Sequence, residues 1–169
     1  MLIVFAGLPG SGKSSLAKLL ARRLQATYLR IDTIEQALRS WGSLTAEITA
    51  EGYVIAYNLA RENLLVGQTV IADSVNPIET TRQAWLDIAA DAKVAAVQVE
   101  VVCSDPVEHR RRIETRTTDI ADFRLPSWDA VVTREYQAWR QRRIVIDTAG
   151  KDLTASLEEL MSMLPTIGA

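Results

Sequence analysis

Residues 7–15 read Gly7-Leu8-Pro9-Gly10-Ser11-Gly12-Lys13-Ser14-Ser15, between an apolar run and a helical pattern. Leu2–Ala6 precede them, and Leu16, Leu19, Leu20 and Leu24 follow at helical spacing. A core is built from side chains, and this stretch has almost none. Glycines at such a strand-to-helix junction let successive backbone N–H groups turn toward one anion. The start of the following helix adds more N–H groups and a favourable dipole. The eight residues from Gly7 match G-x-x-x-x-G-K-[ST], a phosphate cradle, and they stand in the strand–loop–helix context that this pattern requires. Lys13 is expected to reach the β- and γ-phosphates of a nucleotide, and the Ser14 hydroxyl to ligate Mg²⁺. The expected nucleotide contacts are Gly7, Pro9, Gly10, Ser11, Gly12, Lys13, Ser14 and Ser15.

The rest of the chain alternates short β-branched runs with longer helical stretches. Strands are expected at Leu2–Ala6, Thr27–Ile31, Thr69–Ala72, Ala95–Cys103 and Arg143–Ile146. Helices are expected to start near Gly12, Thr33, Ala46, Pro77, Pro106, Ser127 and Asp152. This alternation implies a parallel sheet covered by helices on both faces, a three-layer α/β fold. With no repeat or linker, residues 1–169 read as one domain. Three strand ends lead into similar punctuation: Asp32-Thr33-Ile34-Glu35, Asn76-Pro77-Ile78-Glu79 and Asp105-Pro106-Val107-Glu108. Each offers an N-cap side chain with a glutamate three residues on. Ligands of open α/β sheets bind at the carboxyl ends of strands, so these joints also have access to a site.

Composition narrows the function. Net charge is −2, which argues against broad nucleic-acid binding. No apolar run approaches the roughly 18 residues of a membrane helix. Cys103 is the single cysteine, so there is no disulfide framework, and the expectation is a buried core residue in a cytoplasmic protein. His109, the single histidine, reads as a packing or surface residue, and no His or Cys cluster suggests zinc. Trp41, Trp85, Trp128 and Trp139 read as packing residues on amphipathic helices, with Trp41 a possible wall of an acceptor pocket.

The cradle at residue 7, the short chain and the acidic residues ending the second and third strands together resemble a family. They look like the small P-loop kinases related to the nucleoside-monophosphate kinases. Nearest in pattern are the gluconate, polynucleotide 5′-hydroxyl, chloramphenicol and zeta-toxin type kinases. The resemblance covers nearly the whole chain. It implies a P-loop NTPase fold, with a five-stranded parallel sheet in the order 2-3-1-4-5 and a small lid between the fourth and fifth strands. It also implies ATP and Mg²⁺ as cofactors and transfer of the γ-phosphoryl group to a hydroxyl of a small molecule.

The resemblance assigns roles to single residues. Asp32 would contact the acceptor hydroxyl as base or orienter; the alternative is a plain N-cap completed by Glu35. Asp73, ending Val70-Ile71-Ala72-Asp73, would stand near Mg²⁺ or Lys13, whereas Asn76 reads as the N-cap before Pro77. Arg112 and Arg116, four apart, would share a helix face. With Arg124 they would serve ATP from a lid at about residues 116–126, Arg116 also neutralising charge on the γ-phosphate. The alternative is a solvated face paired with Glu108 and Glu114. The acceptor would occupy about residues 32–67. Where relatives often have arginine three residues after the aspartate, this chain has Glu35, with Arg39 one turn on. That departure favours an uncharged or polyhydroxylated acceptor. A polynucleotide 5′-hydroxyl kinase and a nucleotide switch without an acceptor are the competing readings.

Overall fold

The computed structural model describes residues 1–41 and 50–165. The expected helix start at Ala46, the Gly42-Ser43 pair and Glu47 lie outside them. Five parallel strands form one sheet: β1 (Leu2–Ala6), β2 (Thr27–Arg30), β3 (Val70–Asp73), β4 (Ala96–Val102) and β5 (Ile144–Asp147), in the order β2-β3-β1-β4-β5. β1 pairs with β3 through Leu2↔Val70 to Phe5↔Asp73, and with β4 through Leu2↔Ala96 to Ala6↔Glu100. This register sets the end of β3 beside the start of the cradle.

Among the described residues, seven helices connect or flank the strands: α1 (Lys13–Leu24), α2 (Ile31–Ser40), α3 (Glu51–Leu65), α4 (Glu79–Asp91), α5 (Pro106–Thr115), α6 (Trp128–Val132) and α7 (Leu153–Met163). Two cores follow from side-chain alternation along β1. Ile3 and Phe5 face Leu16, Leu20, Leu157 and Leu160 of α1 and α7. Leu2 and Val4 face Ala56, Ala60 and Leu64 of α3 and Trp85 and Ala89 of α4. All five residues of β1 are buried, as a central strand covered on both faces must be. No helix among the described residues is long and apolar enough to cross a membrane.

Three joints differ from the sequence reading. α2 begins at Ile31 with Arg30 as its N-cap, so Asp32 lies in the first helical turn and caps nothing. Burial of Ile31 against Leu2, Val4 and Trp85 ties the helix directly to β2 without a loop. Asn76 is not an N-cap either: α4 starts later, with Ile78 in the cap position. The Asn76 side chain is fully buried and donates to the Phe5 carbonyl (2.9 Å) while accepting from the Trp85 indole (3.1 Å). α5 ends at Thr115, and Arg116 is extended (φ −67°, ψ 146°), so it does not share a helix face with Arg112. Asp105 does cap α5, accepting from the amides of Val107 (2.8 Å) and Glu108 (3.2 Å).

Smaller corrections concern single side chains. Trp41 is 82% exposed at the end of α2 and, among the described residues, belongs to neither core. Trp139 lies beyond α6, in no helix, under the guanidinium of Arg82. Cys103 is only partly buried at the end of β4.

Candidate nucleotide-binding and transfer site

The cradle is built where β1 ends. Gly7 (φ +137°) passes so close to β4 that a Cβ would lie 2.2 Å from the Val101 carbonyl oxygen. Gly10 (φ +83°) presses on α5, where a Cβ would lie 2.5 Å from Ile113 Cδ1. His109 closes the same wall. Its Nε2–H donates to the Pro9 carbonyl (2.8 Å), and its ring packs edge-on against Trp128. The lone histidine is thus a packing residue of the loop. From the other side, the Thr148 hydroxyl donates to the Ser11 carbonyl (2.8 Å) and accepts from Arg112 (2.7 Å). Arg112 also grips the Thr148 carbonyl (2.9 Å) and Glu108 (2.6 Å). The loop is therefore held from α5 and from the end of β5. The first turn of α1 has no side-chain cap and no acidic residue, which leaves its N–H groups to an anion.

Lys13 and Asp73 form the buried charge pair beneath the loop, with Nζ 3.2 Å from Oδ1. Burial opposes the Asp73 charge, but the Lys13 ammonium and the Tyr28 hydroxyl hold its carboxyl below the usual range. Tyr28 donates to Oδ2 at 2.6 Å, its own ionisation suppressed first by burial and then by Asp73. Lys13 also approaches Ser14 Oγ at 3.4 Å. Among the described residues, Ser11 Oγ, Asp73 Oδ1, Arg30 Nε and Arg116 Nε are buried side-chain atoms without a hydrogen-bond partner. Arg30 and Arg116 line the cradle cavity and can donate to phosphate oxygens, whereas Ser11 is fully buried and lines neither cavity, and Asp73 Oδ1 faces the Lys13 ammonium. This set fits nucleotide phosphates with a divalent cation held by Ser14 and Asp73.

Two cavities meet here. The smaller, about 480 Å³, is lined by the cradle residues Gly10, Gly12, Lys13, Ser14 and Ser15, with Arg112, Arg116 and Thr148. The larger, about 920 Å³, is walled by α2, α3 and the start of α4, with Glu35, Arg39, Tyr53, Tyr57 and Ser74 among its residues. Asp32 lines both. Arg116 stands on the cradle side within electrostatic reach of Asp32; burial lowers its pKa, and the Asp32 carboxylate opposes that. Arg124 lies elsewhere than its expected role requires: it lines the larger cavity and not the cradle cavity. Glu35 also faces the larger cavity, its carboxyl raised by burial, and it pairs with Arg39 at 3.3 Å. α2 therefore presents a compensated pair there, rather than a free arginine.

Several residues of the site escaped the sequence reading. Arg30, at the end of β2, donates to Asp119 (2.8 Å) and lies 3.8 Å from Asp32 and 4.0 Å from Asp73. Asp119 also pairs with Lys18 of α1, which ties residues 116–126 to the cradle helix. Arg134, just past α6, lines both cavities. Position at a strand's carboxyl end could have flagged Arg30; no short-range signal marks Asp119 or Arg134.

A family model described as an AAA domain matches residues 2–145. The chain belongs to this AAA domain family. No curated protein matches it significantly. Among solved structures, the AAA domain protein is similar to Chaetomium thermophilum Kti12 in complex with ADP-AlF3. That match has TM-score 0.69 and 20% identity, covering 98% of this chain and 100% of that one. A gluconokinase from Sinorhizobium meliloti gives 0.65 and 16%, covering 95% and 89%. The Mycobacterium tuberculosis APS kinase CysC, in complex with AMPPNP and APS, gives 0.63 and 18%, covering 95% of each chain. At these identities the likeness is one of fold: the AAA domain here has the P-loop NTPase architecture, strand order included.

Proposed function

We propose that the protein is a single-domain, ATP- and Mg²⁺-dependent kinase that phosphorylates a hydroxyl of a small molecule. One observation carries this reading: Asp32 lines both the cradle cavity and the larger cavity beside it. A switch or simple ATPase needs the first cavity. A phosphotransferase needs both, with a proton acceptor where they meet. The fold relatives described as gluconokinase and APS kinase support the same reading.

In this scheme the cradle amides and Lys13 bind the nucleotide phosphates, and the ion pair with Asp73 aims Lys13. Mg²⁺, held by Ser14 and Asp73, would supply charge neutralisation on the phosphates. Arg116 binds the phosphoryl group from the lid side, at residues 116–126. Arg112 contributes by fixing the loop through Thr148. Asp32 orients the acceptor hydroxyl and takes its proton. The acceptor region spans residues 32–67 and the start of α4, where the Glu35–Arg39 pair and the Tyr53 and Tyr57 rings face the cavity. Arg124 belongs to that wall. Such a mixed lining suits a small polar acceptor rather than a polymer.

The test is Mg·ATP consumption with pooled sugars, nucleosides, antibiotics and other hydroxyl compounds, beside Asp32→Asn. Acceptor-dependent turnover in the wild type, lost in the variant with ATP binding intact, supports the kinase. Slow turnover, equal in both proteins and indifferent to every pool, refutes it in favour of the switch.

A further inference from the structure

We infer that Arg134 is a catalytic residue of this transfer, its guanidinium engaging the phosphoryl group as it crosses from the cradle cavity to the acceptor cavity. The inference rests on the kinase reading above. Four residues line both cavities: Asp32, Val75, Phe123 and Arg134. Val75 and Phe123 are apolar and limit water at the junction. Asp32 is the proton acceptor. Arg134 is the cation of the set, and a moving phosphoryl group needs one.

The charge inventory of the cradle cavity supports the assignment. Lys13 is paired with Asp73, Lys18 and Arg30 with Asp119, Arg112 with Glu108, and Lys151 with Glu159. The Arg116 and Arg134 side chains have no ion pair among the described residues. Arg116 is half-buried on the cradle side, whereas Arg134 also faces the acceptor. An arginine in no ion pair among the described residues, with Glu35 of the acceptor cavity as an electrostatic neighbour, has its donors available to a substrate oxygen where the two cavities join.

The backbone beside Arg134 is held firmly. Its amide donates to the Val131 carbonyl (3.3 Å), continuing a helix capped by Ser127. Three residues on, the Gln137 amide donates to the Pro77 carbonyl (2.8 Å). The carbonyls of Gln137 and Ala138 accept from Arg82 (2.9 and 3.4 Å), whose guanidinium also lies 4.0 Å from the centre of the Trp139 ring. Arg82 is fully buried and donates only to carbonyls, among them Asn76 (2.9 Å) and Pro77 (3.0 Å). This clamp fixes residues 136–139 to the segment that follows Val75, and so fixes the base of Arg134.

In the step, the bond from Pγ to the β–γ bridging oxygen breaks, and its electron pair leaves on ADP. A bond forms between Pγ and the acceptor oxygen, whose proton passes to the Asp32 carboxylate. Arg134 gains and loses no proton; its donors follow the phosphoryl oxygens.

The experiment is single-turnover loss of the γ-phosphoryl group from Mg·ATP with the active hydroxyl pool. Wild type is compared with Arg134→Gln, Arg134→Lys and Arg134→Ala, and the affinity of each for ATP is measured. Arg134→Gln is expected to slow transfer by about 100-fold or more, with ATP affinity kept within about threefold. Arg134→Lys should be intermediate, and guanidinium well below denaturing concentrations should restore part of the Arg134→Ala rate. Transfer at the wild-type rate in Arg134→Gln overturns the inference and leaves the kinase standing. So does an equal loss of affinity and rate, or failure of all three variants to fold. A wild type that transfers nothing removes the kinase reading and this inference together.

Discussion

Gly10→Ala tests whether the cradle is held in shape by α5. At φ +83° an alanine costs about 1–2 kcal/mol over glycine. Its Cβ would stand 2.5 Å from Ile113 Cδ1 and 2.9 Å from Cγ1, and Ile113 is buried, with little room to retreat. Overpacking of this kind costs about 1–3 kcal/mol, so the total is about 3 kcal/mol. The chain can absorb it by losing stability, or by letting the loop shift and re-aim its amides, which transfers the cost to ATP affinity. Calorimetric titration with Mg·ATP should show binding weakened by about 10- to 100-fold. Any remainder should appear as a lower Tm, at about 2–4 °C per kcal/mol. Ile113→Ala in the same chain removes the clash, so the double variant should be better than the sum of the singles by at least about 1 kcal/mol. Wild-type affinity with wild-type Tm in Gly10→Ala would refute the reasoning, as would strict additivity with Ile113→Ala.

Other outcomes follow from the same geometry. Asp73→Asn leaves Lys13 buried without its counter-charge and should cost about 3 kcal/mol at neutral pH by urea unfolding. Because the Asp73 carboxyl is held below its usual range in the fold, its contribution is present above about pH 4 and fades as pH falls further, and the variant should flatten that acid limb. Arg82→Met strands the carbonyls of Asn76, Gln137 and Ala138 and should lose about 3 kcal/mol, with Trp139 fluorescence shifting toward that of a solvated indole. Asp119→Asn severs an exposed tie, so global stability should change by less than about 1 kcal/mol, while limited proteolysis within residues 116–126 should quicken.

The architecture was legible because its signals are local. Apolar runs bounded by turns located each strand to within about two residues, and the glycine motif lay in the strand–helix context that fixes its shape. What misled were short motifs whose residues are claimed by distant partners. Asn-Pro reads as a helix start, yet Phe5 and Trp85 occupy the Asn76 amide and hold it in the core. A cap is the alternative reading of Asp32, yet burial of Ile31 begins the helix earlier and removes that alternative. Arg116 reads as the next turn of a helix that has already ended. Arg134 gains its significance from which cavities it lines, and that depends on tertiary packing alone.

The Arg82 clamp has a consequence for the order in which the molecule can be assembled. Its guanidinium joins Asn76 and Pro77 to Gln137 and Ala138, more than 50 residues further along the chain. Asn76 is itself seated on Phe5. The seat for residues 136–139 therefore exists only after β1, β3 and the start of α4 have come together. Closing so long a loop is entropically costly, and the cost is recovered only when that seat is ready. The phosphate loop waits on equally late segments, because His109 and Thr148 hold it, so cradle and junction are completed together. Any folding intermediate that lacks β5 would then hold a loop without its Thr148 support.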